Sequence, residues 1–133
     1  LVTRLLDELG YVGVIALELF EAGGRLLANE FAPRVHNTGH WTIDGAETSQ
    51  FENHLRAILG LPLGSTAARA PSVMVNLIGG TPDMAALLAL PGAHVHLYGK
   101  DLRPGRKLGH VTLVGAPGHI VDAAIRLADE ASC

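Results

Sequence analysis

The sequence predicts an α+β chain in two parts: an antiparallel hairpin followed by a helix, then a small β-rich domain with short helices. Three observations carry that prediction. Short apolar, β-branched runs such as "SVMVNLIG" recur along the chain, as strands do. Between them stand segments with helical spacing: Phe51, Leu55, Ile58 and Leu59 fall at i, i+4, i+7 and i+8, one apolar stripe. Glycine and proline punctuate the junctions, and 48% hydrophobic against 17% charged residues describes a core-forming chain rather than a disordered one.

Residues 1–9 read as the last turns of a helix stopped by Gly10. "YVGVIALELF" (11–20) is β-branched and apolar, a strand; "EAGG" (21–24) is turn chemistry, and "RLLANEFA" (25–32) pairs back. After the 33–41 loop, Thr42 or Asp44 caps a helix expected to reach about Leu59, where Gly60 ends it. The connector "LPLGSTAARAP" follows, and the boundary is set there, with domains at 1–64 and 65–133. Residues 72–79 form a strand, and 81–90 a short helix with Thr81 as cap and Pro82 in the first position. Residues 93–99 alternate as a strand, "KDLRPGRK" is a basic turn, and 108–115 its return strand. The chain closes in a helix from Gly118 with Ile120, Ala123, Ala124 and Leu127 on one face.

The totals set bounds. At 133 residues the chain is one ordinary domain or the tail of a larger one, and its opening at Leu1 inside a helical pattern points to a longer polypeptide. The apolar runs "YVGVIAL" and "MAALLAL" are too short to span a bilayer, and no secretory leader is visible, so no membrane association is expected. The single cysteine, Cys133, excludes an internal disulfide framework and fits a reducing cytoplasm. A net charge of -3 weighs against a nucleic-acid partner.

Two carboxylates sit at awkward places, Glu18 near the end of one hairpin strand and Glu30 near the end of the other. A lone Glu in a strand ordinarily faces solvent. If the loop is Gly23–Gly24, Glu18 and Glu30 point to opposite faces. If the loop is one residue longer, Ala22–Gly24, Glu18 lies diagonal to Glu30 and both share a face. Diagonal neighbours lie roughly 7–8 Å apart at the backbone, so two Glu side chains could then converge on one cation. Few, hard oxygen ligands suit Mg²⁺ with a nucleotide. Opposite faces would remove the metal site.

The loop "APRVHNTGHW" is dense in chemistry. Arg34 offers a planar fork to a carboxylate, bicarbonate or phosphate. Asn37, Thr38 and Gly39 form a tight turn flanked by His36 and His40. An i, i+4 histidine pair makes a zinc site on a helix; Pro33 and Gly39 argue against one here, and the third ligand is missing. The pair is expected to hydrogen-bond to an anion or to the backbone, and Trp41 to anchor packing. The basic turn is the second cluster, with Lys100, Arg103, Arg106 and Lys107 placing four cations in eight residues around Pro104–Gly105. Without aromatic interleaving beyond Tyr98, this is a poor nucleic-acid patch.

These motifs carry a resemblance. "VIALELF" (14–20), "NEFAPRVHNTGHWT" (29–42) and "TSQFENHLRAILGLPLG" (48–64) resemble the end of the ATP-grasp domain of the ATP-dependent carboxyaminoimidazole ribonucleotide synthases of purine biosynthesis. "VMVNLIG" (73–79), "HLYGK" (96–100) and "RPGRKLGHVT" (103–112) agree in the second half, so the resemblance covers nearly the whole chain. It implies an enzyme that uses ATP to activate bicarbonate as carboxyphosphate and N-carboxylates 5-aminoimidazole ribonucleotide. By the same resemblance Glu18 and Glu30 bind Mg²⁺ on the ATP phosphates, and Asn29 neighbours them. Arg34 faces bicarbonate or carboxyphosphate, and His36, Asn37 and His40 line that pocket. Lys100 and Arg106 first, then Arg103 and Lys107, hold the ribonucleotide phosphate, the turn reaching back over the ATP-grasp site. His110 is expected to be structural.

One departure stands out. Many ATP-grasp enzymes carry Asn two residues after the second Glu, where this chain has Ala32. The resemblance also implies an absent N-terminal portion carrying the adenine pocket, a half-site that is inactive alone, and a cytoplasmic homodimer. Two other readings stay open: a different ATP-grasp ligase, such as the formate-dependent glycinamide ribonucleotide transformylase, and a non-catalytic binding or dimerisation module.

Overall fold

The computed structural model describes residues 2–132, and the first residue of the predicted helix, Leu1, and the single thiol, Cys133, lie outside them. The chain folds as two compact units. One runs to Ile43 and resumes over Glu47–Thr66; the other takes Asp44–Ala46 and the chain from Ala67 onward.

In the first unit, α1 (Val2–Leu9) ends at Gly10 with paired return bonds, Gly10 N–H to Asp7 O at 3.2 Å and Tyr11 N–H to Leu6 O at 3.1 Å. That is the double closure of a glycine-stopped helix. β1 (Ala16–Ala22) starts five residues later than the sequence predicts and continues past Phe20. Tyr11–Ile15 is not strand because its polar groups are satisfied elsewhere. The Tyr11 hydroxyl sits 3.0 Å from Val14 O and 2.8 Å from Pro33 O, and Val14 N–H donates to His54 Nδ1 at 3.0 Å. β2 (Arg25–Ala32) returns through the two-residue loop Gly23–Gly24. Both glycines have positive φ, 56° and 71°, which a tight hairpin turn of this hand requires.

The predicted helix over 42–59 is two helices, α2 (Thr42–Gly45) and α3 (Gln50–Ile58). Ser49 breaks it by capping α3, its hydroxyl accepting from Glu52 N–H at 3.2 Å. The Phe51/Leu55/Ile58/Leu59 stripe does not face the unit's interior: Leu55 is 55% and Leu59 67% exposed, whereas polar Asn53 is buried. Asn53 explains the orientation. Its amide donates to Gly64 O at 3.2 Å and its Oδ1 accepts from Gly64 N–H at 2.8 Å, a two-point clamp on the segment after α3. Asn53→Leu is expected to lose both bonds and strand a buried peptide, costing about 2–4 kcal/mol in chemical denaturation. A loss under about 1 kcal/mol would show that the clamp is dispensable.

The second unit holds β3 (Ser72–Ile78), α4 (Met84–Leu88), β4 (Ala93–Leu97), β5 (Lys107–Val114) and α5 (Gly118–Glu130). The strands form one antiparallel sheet in the order β3-β5-β4. Alternation gives the sheet two characters. Leu77, Val111 and Leu113 pack with Leu87 of α4 and with Ala124 and Ala128 of α5 as the core. The other face carries cross-strand rows Asn76–His110–His96 and Met74–Thr112–His94. α4 is shorter than predicted, with Asp83 rather than Thr81 as its cap. The Asp83 carboxylate accepts from Ala85 N–H at 2.9 Å and Ala86 N–H at 3.1 Å, and an ionised acceptor outcompetes a hydroxyl two residues earlier. No helix among the described residues is long and apolar enough to cross a membrane.

Candidate functional site

Each unit carries one candidate cluster. In the first, register decides the geometry. The even two-glycine loop alone would set Glu18 and Glu30 on opposite faces, and the longer loop weighed from the sequence is not what forms. Instead the pairing slips by one residue between Glu18 and Leu19: Leu19 stands opposite Ala28, but Glu18 stands opposite Glu30. Asn29 is the extra residue of this bulge. Directly opposed residues share a face, with Cα atoms about 4.5–5.5 Å apart. The bulge therefore places Glu18 and Glu30 on one face and directly opposed, nearer at the backbone than a diagonal pair would be.

The loop beyond β2 is organised around Glu18. His36 Nε2 meets Glu18 Oε1 at 2.8 Å, while His36 Nδ1 lies 3.4 Å from the Thr38 N–H that it caps and 3.0 Å from Thr38 Oγ1. The backbone N–H can only donate, so Nδ1 is the acceptor and Nε2 carries the hydrogen toward the carboxylate. His36 caps a single 3₁₀ turn, Asn37–Gly39. Asn37 Oδ1 is buried with no hydrogen-bond partner among the described residues.

Gln50, the first residue of α3, pins this loop, and sequence reasoning passed over it. Its Oε1 accepts from His36 N–H at 3.0 Å, and its amide donates to His36 O at 2.7 Å and to His40 Nδ1 at 2.8 Å. A Cβ at Gly39 would sit 2.5 Å from Gln50 Oε1, so a larger residue there would push the Gln50 amide out of this place. His40 packs its ring 5.3 Å from that of Phe51. The two histidines thus bond to a carboxylate and to backbone-fixing groups, and no cluster of three metal-ligating residues occurs among the described residues. Trp41 is half-buried. Arg34 is exposed, with Nη1 donating to Val35 O at 2.9 Å, and no carboxylate pairs with it among the described residues.

The opposed Glu18–Glu30 pair fits a Mg²⁺ ion as far as the protein's share goes. Mg²⁺ is commonly held by one or two carboxylates, with substrate phosphates and water completing an octahedron. Like charges directly opposite also repel, an arrangement that a bound cation relieves.

In the second unit the loop 98–106 joins β4 to β5. Pro104 and Gly105 form a turn closed by Arg106 N–H to Arg103 O at 3.0 Å, with φ of 69° at Gly105. Arg106 is tied in on both sides: its carbonyl accepts from Gly79 N–H at 2.8 Å and its Nη1 reaches Asp101 O at 3.5 Å. Lys100 and Arg103 are exposed, Arg106 and Lys107 half-buried, and none of the four is in an ion pair among the described residues. Burial, and then the charge of Lys100, push the Lys107 ammonium below the usual lysine range. Uncompensated cations, one already discouraged from holding its proton, suit a doubly charged anion.

Comparison with known proteins follows the same division. Residues 1–51 match the ATP-grasp domain, and residues 72–123 the phosphoribosylaminoimidazole carboxylase C-terminal domain. The chain is 61% identical over 112 residues to N5-carboxyaminoimidazole ribonucleotide synthase of Pseudomonas aeruginosa, covering 84% of this chain and 31% of that one. The solved N5-carboxyaminoimidazole ribonucleotide synthetase of Thermus thermophilus superposes with a TM-score of 0.86 at 58% identity, over 98% of this chain and 36% of that chain. The Aspergillus clavatus synthase, solved with ADP and 5-aminoimidazole ribonucleotide, gives a TM-score of 0.77 at 39% identity, over 89% of this chain and 35% of that one. The chain thus spans about a third of the length of the relatives it matches.

Proposed function

We propose, on the premise that the chain belongs to the N5-carboxyaminoimidazole ribonucleotide synthases over the third of their length that it spans, that it supplies the phosphate-facing half of an ATP-dependent carbon–nitrogen ligase. The ligase would pass the γ-phosphoryl group of ATP to bicarbonate, giving carboxyphosphate and ADP. It would then pass the carboxyl group to the amine of 5-aminoimidazole ribonucleotide and release phosphate.

The observation that carries this reading is the bulge that sets Glu18 opposite Glu30 beside the Arg34–His40 loop. Glu18 and Glu30 would hold Mg²⁺, which when bound supplies the positive charge that ATP phosphate oxygens need during transfer. Asn29, next to Glu30, stands where it could add an oxygen in place of the ligand lost at Ala32. Arg34 would hold bicarbonate and the anion formed from it, stabilising charge as it develops. His36, fixed as a donor toward Glu18, would keep that carboxylate aimed; Asn37 and His40 would complete the loop's wall. Lys100, Arg103, Arg106 and Lys107 would hold the ribonucleotide monoester. A homodimer and a cytoplasmic location belong to the same proposal.

The test is ADP release with ATP, Mg²⁺, bicarbonate and aminoimidazole ribonucleotide, by this chain alone and with the N-terminal portion of a related synthase. Turnover on complementation is expected. No turnover, with the added portion shown to be folded and bound, would leave a non-catalytic module as the better reading.

A further inference from the structure

The polar face of the second unit's sheet holds a linked series of rings that no step above uses. His94, His96 and Tyr98 follow one another at alternate positions along and just past β4. Asp44 Oδ2 sits 2.8 Å from His96 Nε2, and its Oδ1 3.6 Å from His94 Nδ1. His96 stacks on His110 of β5, ring centroids 4.8 Å apart and planes within 21°. His110, only 1% exposed, shares a 2.7 Å hydrogen bond through Nδ1 with the Tyr98 hydroxyl. The Tyr98 N–H is fixed as well, donating to Leu108 O at 2.9 Å. His96, His110 and Tyr98 are therefore linked in series, and the series is anchored at the Asp44 carboxylate.

The far end of the series is a cation. Gly99 takes φ of 64°, the left-handed conformation open to glycine, and folds the chain back so that Lys100 Nζ lies 5.3 Å from the centre of the Tyr98 ring. That is within range of a cation–π contact. Lys100 is exposed at the foot of the loop and has four methylenes to order. A surface lysine that must meet a phosphate gains from a face that restricts it beforehand.

We infer that Tyr98, oriented by its hydrogen bond to the buried His110, is the positioning residue that holds the Lys100 ammonium ready for the substrate's phosphate. The inference rests on the reading that Lys100 binds that phosphate, and the test separates the two. In a full-length synthase carrying this sequence, the affinity for 5-aminoimidazole ribonucleotide is measured by calorimetry for Lys100→Met, Tyr98→Leu, Tyr98→Phe and the Lys100→Met/Tyr98→Leu pair. Tyr98→Leu is expected to weaken the ribonucleotide about two- to five-fold, and to leave the dephosphorylated riboside unaffected. Added to Lys100→Met it should weaken nothing further. Tyr98→Phe keeps the ring but drops the His110 bond, so it should fall between wild type and Tyr98→Leu and guards against misfolding in the latter. Full additivity of the pair, or an equal loss for the riboside, would make Tyr98 merely structural and overturn the inference. An unchanged affinity in Lys100→Met would instead overturn the phosphate reading beneath it.

Discussion

Glu30→Gln in a full-length synthase carrying this sequence is expected to lower ATP turnover about 10²–10³-fold while the fold stays intact. The two halves of that expectation come from different physics. Glu30 is exposed and directly opposite Glu18, so removing its charge relieves a like-charge contact and should leave stability level or raise it by roughly 0.2–1 kcal/mol. Activity should fall because glutamine presents one neutral oxygen where the ion needs an anionic one. Glu18→Gln is a less clean experiment, because Glu18 also accepts from His36 and its loss would loosen the loop. A Mg²⁺ titration of thermal stability supplies the second readout: added Mg²⁺ should raise the Tm of the parent protein and not of Glu30→Gln. Turnover within about threefold of the parent would remove the metal assignment, whatever the Tm does.

Arg106→Ala is expected to raise the KM for the ribonucleotide about 10–100-fold with little change in kcat, since a charge-assisted bond to a phosphate is worth roughly 1.5–3 kcal/mol. The phosphate does not react, so its binding is felt equally in ground and transition states, and the loss should appear in KM. Arg106→Lys should recover part of it, as a point charge without the fork. An equal fall in kcat would place Arg106 in the chemistry instead. If the basic turn holds that phosphate, Lys107 gives the binding a pH dependence. Its pKa is lowered, first by burial and then by Lys100, so as pH climbs Lys107 loses its proton before an ordinary lysine does. A bound dianion favours the ammonium. Ribonucleotide affinity should therefore be held at lower pH and fall as pH rises through that depressed pKa, with a proton taken up on binding inside that window.

Much of the architecture could be read from residue order. Gly10, Gly23–Gly24 and Pro104–Gly105 each sit where the backbone turns, because left-handed or proline-fixed conformations leave few alternatives. The strands of the second unit fall within a residue or two of their expected ends, since alternation and β-branching are local signals. Caps were harder. Ser49 and Asp83 each cap where another residue was expected to, a competition that depends on which backbone N–H groups end up in reach. The α3 stripe misled for a related reason. Periodicity identifies an apolar face, but the buried clamp of Asn53 on Gly64 decides which way the helix turns.

What the sequence determined by itself was the inventory: two carboxylates near paired strand ends, an Arg–His–Asn–His loop after them, and four cations about a proline–glycine turn. It could also set the alternatives for the hairpin, because side chains alternate with period two. It could not choose between them. The loop is the even one that, alone, would have separated Glu18 from Glu30, and a single extra residue at Asn29 reverses the parity. A bulge has no sequence signature of its own, since it is fixed by which cross-strand pairs the finished sheet prefers. The same holds for Gln50 clasping His36 and His40, and for Asp44 reaching His96 from 52 positions away. Such contacts exist only once distant segments are brought side by side, and so tertiary structure alone decides them.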